Sequence, residues 1–377
     1  MDIHFCCFFW LWVVEPKMAD NFVKSVLGLL ALFLFQSNVA YQVSWVLGAR
    51  NQRCQQRHSQ LFSAKSQPPQ TTTQSSKYLK DFENQYDSFF LDQFGVIHNG
   101  THAYQGAIEA VERLAQRGKR LVILSNSSKR KKTGVKNLRK MGFNPDHFCG
   151  FVTSGDTVYE EMISRAREPF KSLGTRCVVF GNADDDKAYL SEMQCELSTI
   201  EEADFLLARG NFVILDAVET TKCDRSLESE ARVAAVLAAA AARGLPLLVA
   251  NPDIARPGCG SPMPGVIGKQ YEDMGGTVHY TGKPHSSVYE LCFQALEEDG
   301  GNRDRVCAVG DSLDHDILGA SRAGIESIFI IGGIHSEELG IKEGGRECPS
   351  QKALEKLYAR HGGGVPTHSM PAFVWED

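Results

Sequence analysis

The sequence predicts an α/β fold, a Rossmann-like parallel sheet covered by helices with a smaller α/β unit inserted into it. Three observations predict it. From Tyr86 onward, apolar runs of strand length alternate with segments of helical periodicity. Four short motifs each stand where an apolar run ends: FFLDQFGVIHNG (Phe89 to Gly100), LVILSNSS (Leu121 to Ser128), YTGKPHS (Tyr280 to Ser286) and VCAVGDSLDHDILG (Val306 to Gly319). A second group of strand-like runs falls between the second and third motifs, as an insertion would.

The elements follow in order. YDSFFLD (Tyr86 to Asp92) is the first strand, and QGAIEAVERLAQRG (Gln105 to Gly118) is a helix with Ile108, Val111 and Leu114 on one face. RLVILSN (Arg120 to Asn126) is the second strand. The helix VKNLRKMG (Val135 to Gly142) begins beyond a basic turn, Lys129 to Lys132, which reads as a solvated helix start or as an attractor for an anionic substrate. CGFVTSG (Cys149 to Gly155) is the third strand. In the insertion, RCVVFG (Arg176 to Gly181), ADFLLA (Ala203 to Ala208) and LPLLVAN (Leu245 to Asn251) read as strands, with an alanine-rich helix from Leu227 to Arg243. The chain then re-enters the core through TVHYT (Thr277 to Thr281), and Pro284 fits the first turn of a helix through SSVYELCFQALEE. RVCAVGD (Arg305 to Asp311) and ESIFIIGG (Glu326 to Gly333) are the last strands. The expected divisions are a targeting presequence with linker (1–80), the core (81–175 and 266–345), the inserted unit (176–265) and a tail (346–377).

In the order carboxylate, hydroxyl, ammonium, carboxylate, the four motifs resemble those of the haloacid dehalogenase (HAD) superfamily of phosphohydrolases, over roughly Tyr86 to His335. An insertion between the second and third motifs resembles the larger α/β cap of class IIA, and Asn251-Pro252-Asp253 at its expected return also resembles that class. The sharper match is to an uncharacterised branch of class IIA with an aromatic residue at the position of Phe94.

The chemistry asks for these residue types. A phosphate monoester repels a carboxylate nucleophile, so Asp92 attacks phosphorus only if a cation neutralises both charges. Asp311 would share that cation, and hard oxygen ligands describe Mg²⁺ better than Zn²⁺. Lys283 would hold the transferring oxygens, Ser125 would donate a hydrogen bond to them, and Asn126 and Asp253 are candidate substrate contacts. Attack by Asp92 gives an aspartyl-phosphate that water then releases. The resemblance makes Asp311 the metal ligand and Asp316 its neighbouring support, and leaves Asp314 exposed. Each residue has a plainer reading: Asp92 as a turn or helix cap, Lys283 as a surface lysine, Ser125 as a turn former, Asp253 as part of a hinge turn.

One departure stands out. The HAD signature has a second aspartate two residues after the nucleophile, where it protonates the leaving oxygen, and this chain has Phe94 there. The backbone carbonyl of Phe94 can still bind the metal. General acid–base help is worth about 10²- to 10⁴-fold, or roughly 3 to 5.5 kcal/mol of barrier, so poor leaving groups suffer most. His98 reads either as a replacement acid and base or as a residue lining the loop.

The 377 residues and ordinary hydrophobic content suit a globular enzyme, and a net charge of -6 with pI near 6.0 gives no footprint for nucleic acid. Eleven cysteines without a CxxC pair point to reduced thiols. His98, His102, His279 and His285 form no zinc pattern, and GNADDDK (Gly181 to Lys187) reads as a solvated turn. Two N-terminal apolar stretches, Phe5 to Val14 and Phe22 to Phe35, are short for a membrane span. The acid-free, Ser/Thr/Gln-rich segment that follows resembles a transit peptide, with Met18 a second candidate start. Together they read as a two-part plastid presequence, with a mitochondrial leader or a signal anchor as alternatives. SQPPQTTTQSS (Ser66 to Ser76) reads as a linker. The expected function is a Mg²⁺-dependent phosphatase for a small phosphorylated metabolite, without a mature membrane span and with homo-oligomerisation left open. The alternative is a HAD-like protein that binds a phosphometabolite or a partner without turnover.

Overall fold

The computed structural model of the protein describes residues 73–256, 260–362 and 364–376. The presequence and most of the linker fall outside the described residues, and among the described ones no helix is long and apolar enough to cross a membrane.

The core sheet grows from β1 (Gln74–Ser75), β2 (Ser88–Leu91), α1 (Ala107–Gln116), β3 (Arg120–Ser125), α2 (Lys131–Lys140), β4 (Gly150–Thr153) and α3 (Ser154–Ser164). Alternation of side chains along each strand divides them between two helical layers. Phe89, Leu91, Leu121 and Ile123 pack with Ala110, Val111 and Leu114 of α1 on one face. Phe90, Val122 and Leu124 pack on the other with Val288, Cys292 and Leu296. Burial on both faces is why these strands are continuously apolar. Helix α2 starts inside the basic run, four residues before the expected Val135, and α1 ends ahead of Gly118 at φ 72.

The inserted body contains β5 (Arg176–Gly181), α4 (Asp186–Glu192), β6 (Glu196–Leu197), β7 (Phe205–Ala208), β8 (Val213–Leu215), β9 (Thr220–Lys222), α5 (Leu227–Arg243), β10 (Pro246–Val249), α6 (Gly265–Asp273) and β11 (Thr277–Tyr280). Its sheet runs β11-β10-β7-β5-β8-β9, with β6 also on β5. The strand TVHYT therefore corrects the expected boundary. It pairs in parallel with β10, Pro246 opposite Thr277 and Val249 opposite Tyr280, and so belongs to the insertion rather than the core. Helix α6 goes with it, since Ile267 and Tyr271 pack among Val178, Phe180 and Leu247, and the Tyr271 hydroxyl donates to the Leu245 carbonyl at 2.6 Å. The cap thus extends to Tyr280 instead of residue 265. The half-exposed edge strand carries no signal of which sheet it joins, and nearness to Lys283 suggested the wrong one.

The chain returns through α7 (Ser286–Glu298), β12 (Val306–Gly310), a π turn (Leu313–Ile317), α8 (Leu318–Ala323), β13 (Glu326–Ile330), α9 (Gln351–Arg360) and β14 (His368–Met370). Pro284 precedes the N-cap His285 of α7 rather than standing in its first turn. The all-parallel order is β1-β14-β13-β12-β2-β3-β4. The segment expected as a tail is part of this body. Strand β14 lies between β13 and β1, and Met370, Phe373 and Trp375 are buried in the main core cluster, the last beneath the Arg117 guanidinium. Gln74–Ser75, at the end of the expected linker, is accordingly an edge strand.

If the C-terminal residues complete the core, Phe373→Ala should destabilise by about 3 to 5 kcal/mol in urea unfolding. A loss below about 1 kcal/mol would return the segment to the status of a tail.

Candidate active site

Parallel register brings the four motifs together at the carboxyl ends of the core strands, where ligands bind in open α/β sheets. Leu91 of β2 lies between Val309 of β12 and Ile123 of β3, so Asp92 emerges beside the end of both neighbours. The Asp92 amide still donates to the Val309 carbonyl at 2.9 Å, which fixes the residue at the top of the ladder. Asp311 follows β12 directly, and Ser125 is the last residue of β3.

The Lys283 ammonium is the hub. It donates to Asp92 Oδ1 at 2.6 Å, approaches Asp316 Oδ1 at 2.8 Å and reaches the Leu124 carbonyl at 3.3 Å. Carboxylate oxygens of Asp92, Asp311 and Asp316 all lie within 4.8 Å of one another, and all three side chains are buried. Asp316 has both oxygens engaged, Oδ1 by Lys283 and Oδ2 by the Ser312 amide at 3.0 Å, which suits a positioning residue better than a ligand. Asp311 Oδ2 accepts from the Ile334 amide at 2.7 Å. Asp314 is exposed and pairs with His361 Nδ1 at 2.8 Å.

Three buried carboxylates face one ammonium, and their electrostatics register the imbalance. Burial pushes Asp92 up to about 7, with Lys283 pulling it down and Asp316 pushing it further up. Burial, then the charges of Asp92 and Asp316, drives Asp311 well above the carboxylate range. Burial alone would lower Lys283, yet Asp316 and Asp92 hold it charged and above its ordinary value. A divalent cation at the carboxylate cluster matches the missing positive charge, and a hard, oxygen-seeking ion matches the donor set. Gly95 makes the approach possible, since at φ 77 a Cβ there would fall 1.7 Å from Asp311 Oδ2.

A second set of contacts joins core to cap. Asn126 Oδ1 accepts from the Lys283 amide at 2.7 Å, and its Nδ2 donates to Asp253 Oδ1 at 2.8 Å. His315 Nδ1 lies 3.3 Å from the same oxygen. Asn126 and Asp253 therefore bind one another across the return of the chain. The Ser125 hydroxyl accepts from the Ser127 amide at 3.3 Å. A cavity of about 590 Å³ opens over these groups, lined from the core by Asp92, Phe94, Ser125, Lys283 and Asp311 and from the cap by Arg209, Phe212 and Asp253, among others. A larger depression of about 840 Å³ between α2, α3 and α7 touches none of the candidate site residues.

Sequence reasoning missed Arg209. It is fully buried, donates to Asp186 Oδ1 at 2.7 Å, Asp185 Oδ1 at 3.2 Å and the Ser128 carbonyl at 3.2 Å, and stacks on Tyr189 at 3.7 Å. Ser128 returns a bond, its hydroxyl donating to the Arg209 carbonyl at 2.6 Å. Of the acidic turn read as solvated, Asp184 is exposed, but Asp186 is a buried ion-pair partner of Arg209 and also accepts from the Ala183 amide at 2.8 Å. An Arg after a fully apolar strand was the one available signal. The basic run has similar work: Lys129 pairs with Asp184, and Arg130 with Asp156 and Glu192.

His98 closes its own loop. Its Nδ1 accepts from the Gly100 amide at 3.0 Å, its ring meets Phe94 edge-on at 4.9 Å, and burial pushes it down to about 4, so it is neutral at working pH. It does not line the cavity. A further group, His335, Glu338 and His361, gathers at the cavity mouth. His335 Nε2 accepts from the Leu313 amide at 3.3 Å, which leaves Nδ1 as the protonated nitrogen of a neutral ring, facing Glu338 at 3.5 Å.

Residues 89–196 match a family model described as haloacid dehalogenase-like hydrolase, and residues 280–352 match one described as HAD-hydrolase-like. Among solved structures, the chain is similar to a haloacid dehalogenase-like hydrolase from Brucella suis at 24% identity and TM-score 0.63, covering 79% of this chain and 100% of that one. A p-nitrophenyl phosphatase from Archaeoglobus fulgidus matches at 21% identity and TM-score 0.54, covering 76% and 96%. A glycerol phosphate phosphatase from Mycobacterium tuberculosis, solved in complex with calcium, matches at 18% identity and TM-score 0.53, covering 77% and 72%. No curated protein matches the chain. At these identities the solved structures show the fold alone.

Arg209→Met should cost about 3 to 5 kcal/mol in chemical unfolding, because it strands the Asp186 carboxylate in the interior. Adding Asp186→Asn should restore part of that loss. Independent, additive effects of the two substitutions would show that the pair is not coupled.

Proposed function

We propose, from the premise that the chain is a haloacid dehalogenase-like hydrolase, that it is a phosphatase acting on a small phosphorylated metabolite with Asp92 as nucleophile. The observation that carries this reading is the buried cluster of Asp92, Asp311 and Asp316 around Lys283, opening into a cavity roofed by the cap. The likeness to a p-nitrophenyl phosphatase and a glycerol phosphate phosphatase supports the same reaction class.

In this reading one oxygen of Asp92 bonds to phosphorus as the ester bond breaks, giving an aspartyl-phosphate that water then hydrolyses. Lys283 neutralises the incoming oxygens and, through its bond to Asp92, holds the nucleophile in line. Ser125 stands at the rim to bond a phosphoryl oxygen. Asp316 keeps Lys283 charged and in place. Asp92, Asp311 and the backbone carbonyl of Phe94 would hold Mg²⁺, which supplies charge neutralisation when bound. The glycerol phosphate phosphatase was solved in complex with calcium, a hard divalent ion of the same class. Cap residues exclude water and contact the organic part of the substrate. His98, neutral and bonded within its loop, is not the replacement acid.

Asp92→Asn should lower phosphate release by at least about 10³-fold, and chelation of Mg²⁺ should do the same to the wild type. Beryllofluoride should trap on Asp92 in the wild-type protein alone. Release that survives Asp92→Asn would refute the nucleophile, and phosphate-ester binding without release from any substrate would favour the non-hydrolytic alternative.

A further inference from the structure

Two histidines and a glutamate gather at the mouth of the cavity with no part in the chemistry assigned to Asp92. His335 and Glu338 stand in the turn after β13, and His361 follows the last residue of α9. The Leu339 amide donates to the His335 carbonyl at 3.1 Å, so one helical turn puts His335 and Glu338, three residues apart, on the same face. The His361 amide donates to the Leu357 carbonyl at 3.2 Å, which carries the bonding of α9 through it. Both segments rest on one apolar cluster, in which Leu354 and Leu357 of α9 pack with Leu313, Ile317, Phe329 and Ile331. The three polar side chains are therefore positioned by the packing beneath them.

Glu338 Oε2 is their meeting point. His361 Nε2 lies 3.2 Å from it and His335 Nδ1 lies 3.5 Å from it. Zinc bonds of about 2.1 Å set neighbouring ligands of a tetrahedron about 3.4 Å apart, against about 3.0 Å for an octahedron of the same bonds. One ligand atom from each of the three residues falls within 4.8 Å of the others. The surrounding contacts orient these atoms. His361 Nδ1 lies 2.8 Å from Asp314 Oδ2, so that carboxylate keeps a ring proton on Nδ1 and turns Nε2 inward. A neutral His361 held this way aims the lone pair of Nε2 at a carboxylate oxygen, an opposition that a bound cation removes. Arg360 holds Glu338 Oε1, which leaves Oε2 for the rings. Burial, then His361, pushes His335 down to about 4, and a neutral imidazole is the form that ligates.

We infer that His335 Nδ1, Glu338 Oε2 and His361 Nε2 form a second metal site, for a four-coordinate first-row ion of the zinc type, separate from the cluster of Asp92 and Asp311. Imidazole nitrogens select such an ion over Mg²⁺, which takes oxygen ligands. His335 and His361 line the cavity and Glu338 does not, so the fourth position opens toward the cavity, to water or to a ligand atom. The ion takes the place of the proton on His335 Nδ1, and Nε2 becomes the protonated nitrogen. The Leu313 amide contact to Nε2, at 3.3 Å, is longer than an ordinary N–H bond and is the one interaction given up. Bound there, the ion clamps the end of α9 to the loop whose Ile334 amide holds Asp311 Oδ2. The site stands whether or not Asp92 is a nucleophile.

Titration of the untagged full-length protein with Zn²⁺ and with Co²⁺, in excess Mg²⁺, tests the site by calorimetry and by the visible absorption of cobalt. One equivalent should bind with a Kd of about 10 µM or tighter, and the cobalt form should show the intense bands of four-coordinate geometry. His335→Ala and His361→Gln should each weaken binding at least about 100-fold, and Asp314→Asn about 10-fold. Asp92→Asn should leave it unchanged. His361→Gln, at the end of a surface helix, carries the test should His335→Ala fail to fold. A weaker affinity in the wild type, displacement by Mg²⁺, loss of binding in Asp92→Asn, or binding that survives the histidine substitutions, as it would on the chain's thiols, would overturn the site.

Discussion

The Lys283 ammonium, held between Asp92 and Asp316 at the top of the core sheet, is the interaction from which the rest of the site follows. A buried charge is tolerable only when paired and hydrogen-bonded, and this one bonds two carboxylates and the Leu124 carbonyl. Asp92 and Lys283 are 191 residues apart in sequence. The pairing therefore requires the whole insertion to return the chain to the strand end it left. Asn126 enforces that return by accepting the Lys283 amide and donating to the Lys283 carbonyl, so the second motif fixes the backbone of the third.

The cap is tied to the core by the same economy of bonds. Ser128, just beyond the second motif, donates its hydroxyl to the Arg209 carbonyl and accepts the Arg209 guanidinium on its own carbonyl. Arg209 in turn bonds two carboxylates of the cap through its terminal nitrogens and stacks on the face of Tyr189, while its buried Nε has no partner. A guanidinium suits this place better than an ammonium because its planar fork serves three acceptors at once and stacks on a ring. The cap is thus bonded directly to the loop that follows β3.

Much of this was legible in the residues because continuous apolar runs followed by Asp, Ser or Lys leave few other folds open. The strands β2, β3, β4 and β12, and the carboxylates that follow two of them, stand where the sequence placed them. What was not legible depended on pairing rather than pattern. The half-exposed β11 carries no mark of the sheet it joins, and β14 is three residues long with a histidine at its start. Ser128 and Arg209 form no motif at all, because their meaning is a contact between bodies that local chemistry does not announce. Asp186 was misread for the complementary reason: a run of three aspartates looks solvated until a buried guanidinium is known to face it.

Phe94 ties the chemistry to the architecture. Its ring fills space beside Gly100 and His98, and His98 itself is neutral and committed to the loop backbone. An acid at position 94 would add another carboxylate close to three that already share one ammonium, in a place where burial has raised two of them. An aromatic ring there avoids that repulsion. On the proposed phosphatase reading, a phenylalanine that transfers no proton weighs most on esters whose leaving oxygen needs one.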